Sequence, residues 1–366
     1  MTLKDATQSL MLIDGAERPA LDGRTIPIDN PARIGETIAH VPRATGPDVD
    51  VAVQSAARAF SSWRSVNPRE RGRSMLRIAD LLEASSEDIA STIALETGNA
   101  IRTQSRPEAR GAAEIFRYFG GLAGELKGEV TPMGDDLLVY TRREPLGVVG
   151  GIVPWNSPVL LSALKIAMSI TAGNSLVLKA AEDAPLAVLK MGAICNQILP
   201  AGVLNVLTGY GEEAGQALIH HPLISKLSFT GSTEVGKLVM HAAAERILPI
   251  SLELGGKSPA IVFPDSNDEA TVNGVIAGMR FTRQGQSCTA GSRLFVHESI
   301  HEEFLDQIVQ KLSQLKLGDP LSEETDMGAI INQKQFDKVC QYIDEGINQS
   351  GSQVSLGGLP DRSGPL

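Results

Sequence analysis

The sequence predicts an α/β fold: a Rossmann-like doubly wound parallel sheet, followed by a second α/β unit. Three observations predict it. Short apolar runs alternate with helical stretches between residues 148 and 246, a rhythm that implies parallel strands with crossover helices on both faces. Runs such as Leu176-Val177-Leu178 are continuously apolar, as strands covered on both sides must be. From about residue 250 a new set of strands and helices begins.

The elements follow in order. Val49, Val53, Ala56, Phe60 and Trp63 recur at helical spacing, so 48–64 is a helix with Asp48 as its cap. Residues 68–97 are one long helix or two abutting ones, opened by Pro68 and closed by Gly98. Another helix covers 106–119. Two strands, 129–132 and 137–144, flank a Met133-Gly134-Asp135-Asp136 turn. Then come strand 148–153, helix 158–172, strand 176–178, helix 184–199, strand 203–207, a short helix 211–219, strand 226–229 and helix 233–246. Strands at 249–254 and 259–263 lead into the second unit, with helices at 269–280, 299–315 and 333–349. The boundary is placed near Gly255-Gly256.

Composition excludes several roles. With 33 basic against 43 acidic residues the net charge is −10, and no basic run offers a nucleic-acid surface. No apolar stretch is long enough to span a bilayer, and the first residues lack a secretory pattern. Three scattered cysteines make no disulfide framework. The expected setting is a reducing compartment, the cytoplasm.

The cysteines differ in their surroundings. Cys195 shares a helical face with Val188, Met191 and Leu199, and Cys340 with Phe336, Val339 and Ile343. Both read as inert core residues. Cys288 sits in Gln286-Ser287-Cys288-Thr289-Ala290-Gly291 without apolar company, as a reactive thiol would. Glu253 closes an apolar strand just before Gly255-Gly256. It reads as a catalytic base or as part of a solvated strand face. Asn156 follows the first parallel strand, where doubly wound sheets bind ligands; an ordinary turn asparagine would look the same. Lys179 and Glu182 follow the second strand, as a ribose acceptor does or as a solvated pair would. Gly209 to Gly215 is a near-miss of the dinucleotide fingerprint, one residue too long. Ser232 opens a helix after the fourth strand, either holding a pyrophosphate or merely capping.

Together these pieces resemble the NAD(P)-dependent aldehyde dehydrogenase superfamily. The motifs run in its order: PWN at 154–156, KAAE at 179–182, FTGSTEVG at 229–236, LELGGKSP at 252–259 and GQSCTAGSR at 285–293. The resemblance implies Cys288 as nucleophile, Glu253 as the base that activates water, and Asn156 as oxyanion donor. It implies NAD rather than NADP as cofactor, because the Glu182 carboxylate repels a 2′-phosphate. Cofactor contacts are expected from Ile152, Pro154, Trp155, Lys179, Glu182, Gly211, Phe229, Gly231, Ser232 and Leu254. The mouth of the aldehyde pocket is expected from Ser157, Leu161, Leu164, Ser287 and Thr289, with no metal. Glu253 favours hydrolysis of a thioester over its transfer to a thiol.

The same resemblance assigns 1–122 and 145–255 to the cofactor domain, 123–144 to an oligomerisation arm and 256–366 to the catalytic domain. A homodimer or homotetramer is the expected assembly. The family's later Glu-x-Phe-Gly-Pro motif is not found. The catalytic domain is therefore expected to be incomplete, and the chain as written inactive or unstable. Two other readings compete: a non-catalytic binding or scaffold protein of this fold, and a cysteine acyl hydrolase that needs no cofactor.

Overall fold

The computed structural model describes residues 7–360. At its centre is a seven-stranded sheet in the spatial order Ile250–Leu254, Ile224–Gly231, Val148–Ile152, Ser175–Lys179, Leu204–Leu207, Met11–Ile13, Ala16–Arg18. The first five strands are mutually parallel. The last two are added antiparallel. Chain order reverses at Val148–Ile152, whose neighbours are Ser175–Lys179 on one side and Ile224–Gly231 on the other. That reversal opens a crevice at the carboxyl ends of the strands.

The strand Ser175–Lys179 is buried throughout because helices cover both faces. Leu176 and Leu178 pack into one core with Ile166 and Ile170 of the helix Pro158–Thr171. Val177, between them, points the other way and packs with Val49 and Val53 of the helix Gly46–Trp63. Side chains of this size each contribute about 1.5–3 kcal/mol when fully buried. The central strands are thus anchored on both sides, and their ends are fixed in space.

Beyond this sheet, Ser258–Val262 pairs in parallel with Gly291–Val296. Val262, Val272, Phe304 and Ile308 form a small core beneath them, drawn partly from the helices Glu269–Met279 and His301–Leu312. Val130–Pro132 and Leu138–Tyr140 form an antiparallel hairpin whose residues are all exposed.

Several expectations change. Thr45 caps the first helix, not Asp48, which lies three residues in and accepts from the Thr45 N–H at 2.8 Å. Of the two arrangements expected for residues 68–97, the structure has the two abutting helices, Pro68–Ala84 and Ser86–Thr97. Ile250–Leu254 is the edge strand of the central sheet rather than the start of the second unit. Six strands have no counterpart in the sequence reading: Thr7–Gln8, Met11–Ile13, Ala16–Arg18, Thr25–Asp29, Thr37–Pro42 and Gly291–Val296. Thr7–Gln8, Met11–Ile13 and Ala16–Arg18 are two or three residues long, too short to show a period; the other three have five or six residues and were overlooked.

Candidate active site

Strand register builds the floor of the site. Ile152 lies opposite Lys179 on one side and Phe229 on the other. Thr230 lies opposite Glu253, and Gly231 opposite Leu254. The carboxyl ends of four strands therefore make one rim at the reversal point. Pro154, Trp155 and Asn156 follow the first of these strands, each half-buried.

Several features of the rim suit a dinucleotide. The Lys179 Nζ donates to Glu182 Oε2 at 2.8 Å, with the lysine buried and the carboxylate partly exposed. Burial pushes the Glu182 carboxyl up, but the charge and hydrogen bond of Lys179 outweigh it, and the group ends below its ordinary value. It stays an ionised acceptor suited to a ribose hydroxyl. Ser232 caps the helix Thr233–Glu245, its Oγ accepting from the Val235 N–H at 3.3 Å. Helix starts leave backbone N–H groups free for an anion. The Gly211–Gly215 segment is a π-helical turn after the third parallel strand, with Gly211 exposed. It does not follow the first strand, where the dinucleotide fingerprint belongs. A cavity of about 920 Å³ lies beside Glu182, but its wall is drawn mostly from residues 26–35 and 317–333, and Ile152, Trp155, Phe229 and Ser232 are not in it. Cys288 is not in its wall.

The thiol comes from outside the central sheet, after the helix Glu269–Met279. The helix Glu269–Met279 ends in left-handed Arg280, a short turn Phe281–Arg283 follows, and Gln284 and Gly285 are again left-handed at φ 53° and 72°. A non-glycine residue there carries strain that neighbours must hold. Three buried side chains hold it. Gln284 Nε2 donates to the Gly98 and Ala329 carbonyls at 3.3 and 3.2 Å. Gln286 Oε1 accepts from the Ile331 N–H at 3.1 Å. The Arg283 guanidinium donates to Ser157 Oγ at 2.5 Å and to the Asn156 carbonyl at 3.3 Å. The loop then surfaces at Cys288, which is exposed, whereas Cys195 and Cys340 are buried.

Asn156 meets this loop directly: its Nδ2 donates to the Gln286 carbonyl at 2.8 Å, two residues before the thiol. A side-chain amide has two N–H donors, and Gln286 takes one. Ser157 is buried beneath, its hydroxyl accepting from Arg283. Leu161 and Leu164 are half-buried on the helix that follows. Ser287 is half-buried and Thr289 exposed, their hydroxyls 3.3 Å apart, and Arg280 donates to Thr289 at 2.6 Å.

Glu253 is exposed at its strand end and acts electrostatically on Lys165. Burial pulls the Lys165 ammonium down to about 8, against the opposing attraction of Glu253. Its Nζ donates to Ser228 Oγ at 2.9 Å. Sequence reasoning passed over Lys165, Glu108 and Arg283. Lys165 and Glu108 lie inside helices that read as ordinary amphipathic elements. Only Arg283, five residues before the thiol, carried a signal in its position.

The site thus joins an exposed thiol on a pinned loop to the end of the first parallel strand, at the reversal point of a doubly wound α/β sheet. The sequence profile of the aldehyde dehydrogenase family matches residues 19–365, and the chain belongs to that family. An aldehyde dehydrogenase of Aspergillus niger is 41 % identical over 351 residues, 95 % of this chain and 70 % of that protein. A Bacillus cereus aldehyde dehydrogenase solved in complex with NAD+ shares 36 % identity and a TM-score of 0.91, covering 96 % of this chain and 73 % of that one. An NAD-dependent aldehyde dehydrogenase of Sinorhizobium meliloti shares 37 % identity and a TM-score of 0.93, covering 96 % and 70 %. The chain is accordingly an enzyme of aldehyde oxidation. No helix among the described residues is long and apolar enough to cross a membrane.

Proposed function

We propose that this protein oxidises an aldehyde to a carboxylate with NAD, through a thioester on Cys288. The observation that carries the reading is the 2.8 Å bond from the Asn156 amide to the Gln286 carbonyl. It ties the Asn156 side chain to the thiol loop two residues before Cys288, which supports a role as donor to the reacting oxygen. The Cys288 thiolate adds to the aldehyde carbon, and the carbonyl oxygen becomes an oxyanion. The second Asn156 N–H and the Cys288 backbone N–H stabilise that charge. NAD, held by Lys179, Glu182, Ser232 and the residues of the rim, supplies the hydride acceptor when bound. Cys288 is left carrying a thioester. Glu253 takes a proton from water, the hydroxide adds to the thioester carbon, and the thiolate leaves as the carboxylate forms.

Residues 1–122 and 145–255 serve in this reading as the cofactor domain and 256–366 as the catalytic domain. The hairpin within 123–144 exposes Val130, Leu138 and Tyr140, and this apolar strip supports a role as the arm of a homodimer or homotetramer. No histidine among the described residues hydrogen-bonds to the Cys288 loop, which speaks against a cofactor-free cysteine hydrolase.

NADH formation from a panel of aldehydes tests the proposal. Loss of that signal in Cys288→Ala is expected, and its persistence overturns the reading. The same assay decides whether the chain as written stops short of turnover.

A further inference from the structure

Arg283 is buried, while Cys288, five residues on, is exposed. Burying a guanidinium is costly unless it is paired and hydrogen-bonded. Beyond its bonds to Asn156 and Ser157, its Nη2 lies 3.9 Å from Glu108 Oε2. Glu108 is itself fully enclosed. It belongs to the helix Arg106–Leu122, and its Oε1 accepts from the Val159 and Leu160 N–H groups at 2.9 and 3.2 Å. Those two amides open the helix Pro158–Thr171. One carboxylate therefore caps the start of that helix through Oε1 and sets Oε2, which has no hydrogen-bond partner among the described residues, at ion-pair distance from the guanidinium of the thiol loop. Asn156 lies two residues before the helix. Arg283 bonds its carbonyl from one side, and Asn99 Nδ2 does so from another at 3.2 Å.

We propose that Arg283 and Glu108 are positioning residues for acylation: they lock the Asn156 amide and the Cys288 thiol into one geometry. This rests on the proposed roles of Cys288 and Asn156. Neither positioning residue touches the aldehyde. Both work through the Asn156 backbone and the left-handed Gln284-Gly285 turn, which the pin holds in its strained form. Burial pushes the Glu108 carboxyl up to about 7, with the nearby Arg283 charge opposing. The arrangement links three separate parts of the chain: the 99–108 region, the end of the first parallel strand, and the thiol loop.

The test compares wild type with Arg283→Gln, Glu108→Gln and Arg283→Lys in the full chain. The NADH burst rate with saturating NAD is expected to fall about tenfold to a hundredfold in Arg283→Gln, the scale of an ångström-sized misplacement. NAD affinity, read by quenching of tryptophan fluorescence, stays unchanged. Glu108→Gln falls in the same direction, and Arg283→Lys recovers part of the burst. Hydrogen exchange quickens at residues 156–160 and 284–288 and not in the central strands. An unchanged burst rate overturns the proposal, and so does NAD affinity falling in step with the burst, which marks a general structural loss. If wild type gives no burst, exchange alone decides: unaltered exchange at 284–288 in Arg283→Gln overturns the pin, and selective quickening upholds it.

Discussion

Replacing Asn156 with alanine removes two things at once, and they can be measured separately. The first is the N–H left over after Gln286 has taken its share. If it faces the developing oxyanion, its loss costs about 10²–10³ in the rate of acylation, or about 2.7–4 kcal/mol of transition-state stabilisation. The second is the bond to the Gln286 carbonyl, which belongs to a buried residue. An unsatisfied buried acceptor costs roughly 1–3 kcal/mol of stability. The burst of NADH in a stopped-flow instrument reads the first effect, and the urea midpoint reads the second. Asn156→Asp keeps the shape while setting a negative charge against the oxyanion, so its burst is slower still. A folded Asn156→Ala protein with a burst rate like that of wild type refutes the oxyanion role, whatever its stability.

Other outcomes follow from the same geometry. Glu182→Gln removes an ionised acceptor and leaves the buried Lys179 without its charge partner. NAD binding is expected to weaken about tenfold, the scale of a charge-assisted bond, and the preference over NADP to narrow; an unchanged NAD titration contradicts the contact. Glu96 is enclosed, and burial raises its carboxyl from the ordinary 4.5 to about 8, partly offset by bonds from the Leu186 and Ala187 N–H groups. The folded protein thus keeps a proton that the unfolded chain releases. Its contribution is intact below pH 4.5 and is lost as pH rises through 8, up to roughly 5 kcal/mol across the window. Glu96→Gln is expected to flatten that part of the stability curve, measured by urea unfolding at several pH values; a slope equal to wild type contradicts the assignment. Native-state alkylation with iodoacetamide is expected to mark Cys288 alone, because Cys195 and Cys340 are buried. Peptide mass spectrometry showing Cys195 labelled as fast as Cys288 opposes this.

What the sequence made legible was whatever repeats with a period. The parallel strands and their crossover helices follow from continuous apolar runs alternating with helical spacing, and they fall within a few residues of their observed ends. The thiol was legible for the opposite reason: Cys288 lacks the apolar partners that surround Cys195 and Cys340. Two kinds of feature were not legible. Strands such as Met11–Ile13 are too short to show a period and exist because the sheet edge accepts them. The Glu108–Arg283 pair joins residues 175 positions apart, and nothing local in either segment records the other. Asp48 shows a third limit. An acidic residue at a helix start can be the cap itself or the third residue of a capping box, and only the backbone distinguishes them.

The central claim is that Cys288 carries the acyl group. Its most direct measurement is the mass of Glu253→Gln mixed with an aldehyde and NAD, quenched in acid and digested. The account predicts an acyl adduct on the peptide containing Cys288, formed in step with one equivalent of NADH and absent in Cys288→Ser. NADH formed in Cys288→Ser, or an adduct on any other residue, would contradict it.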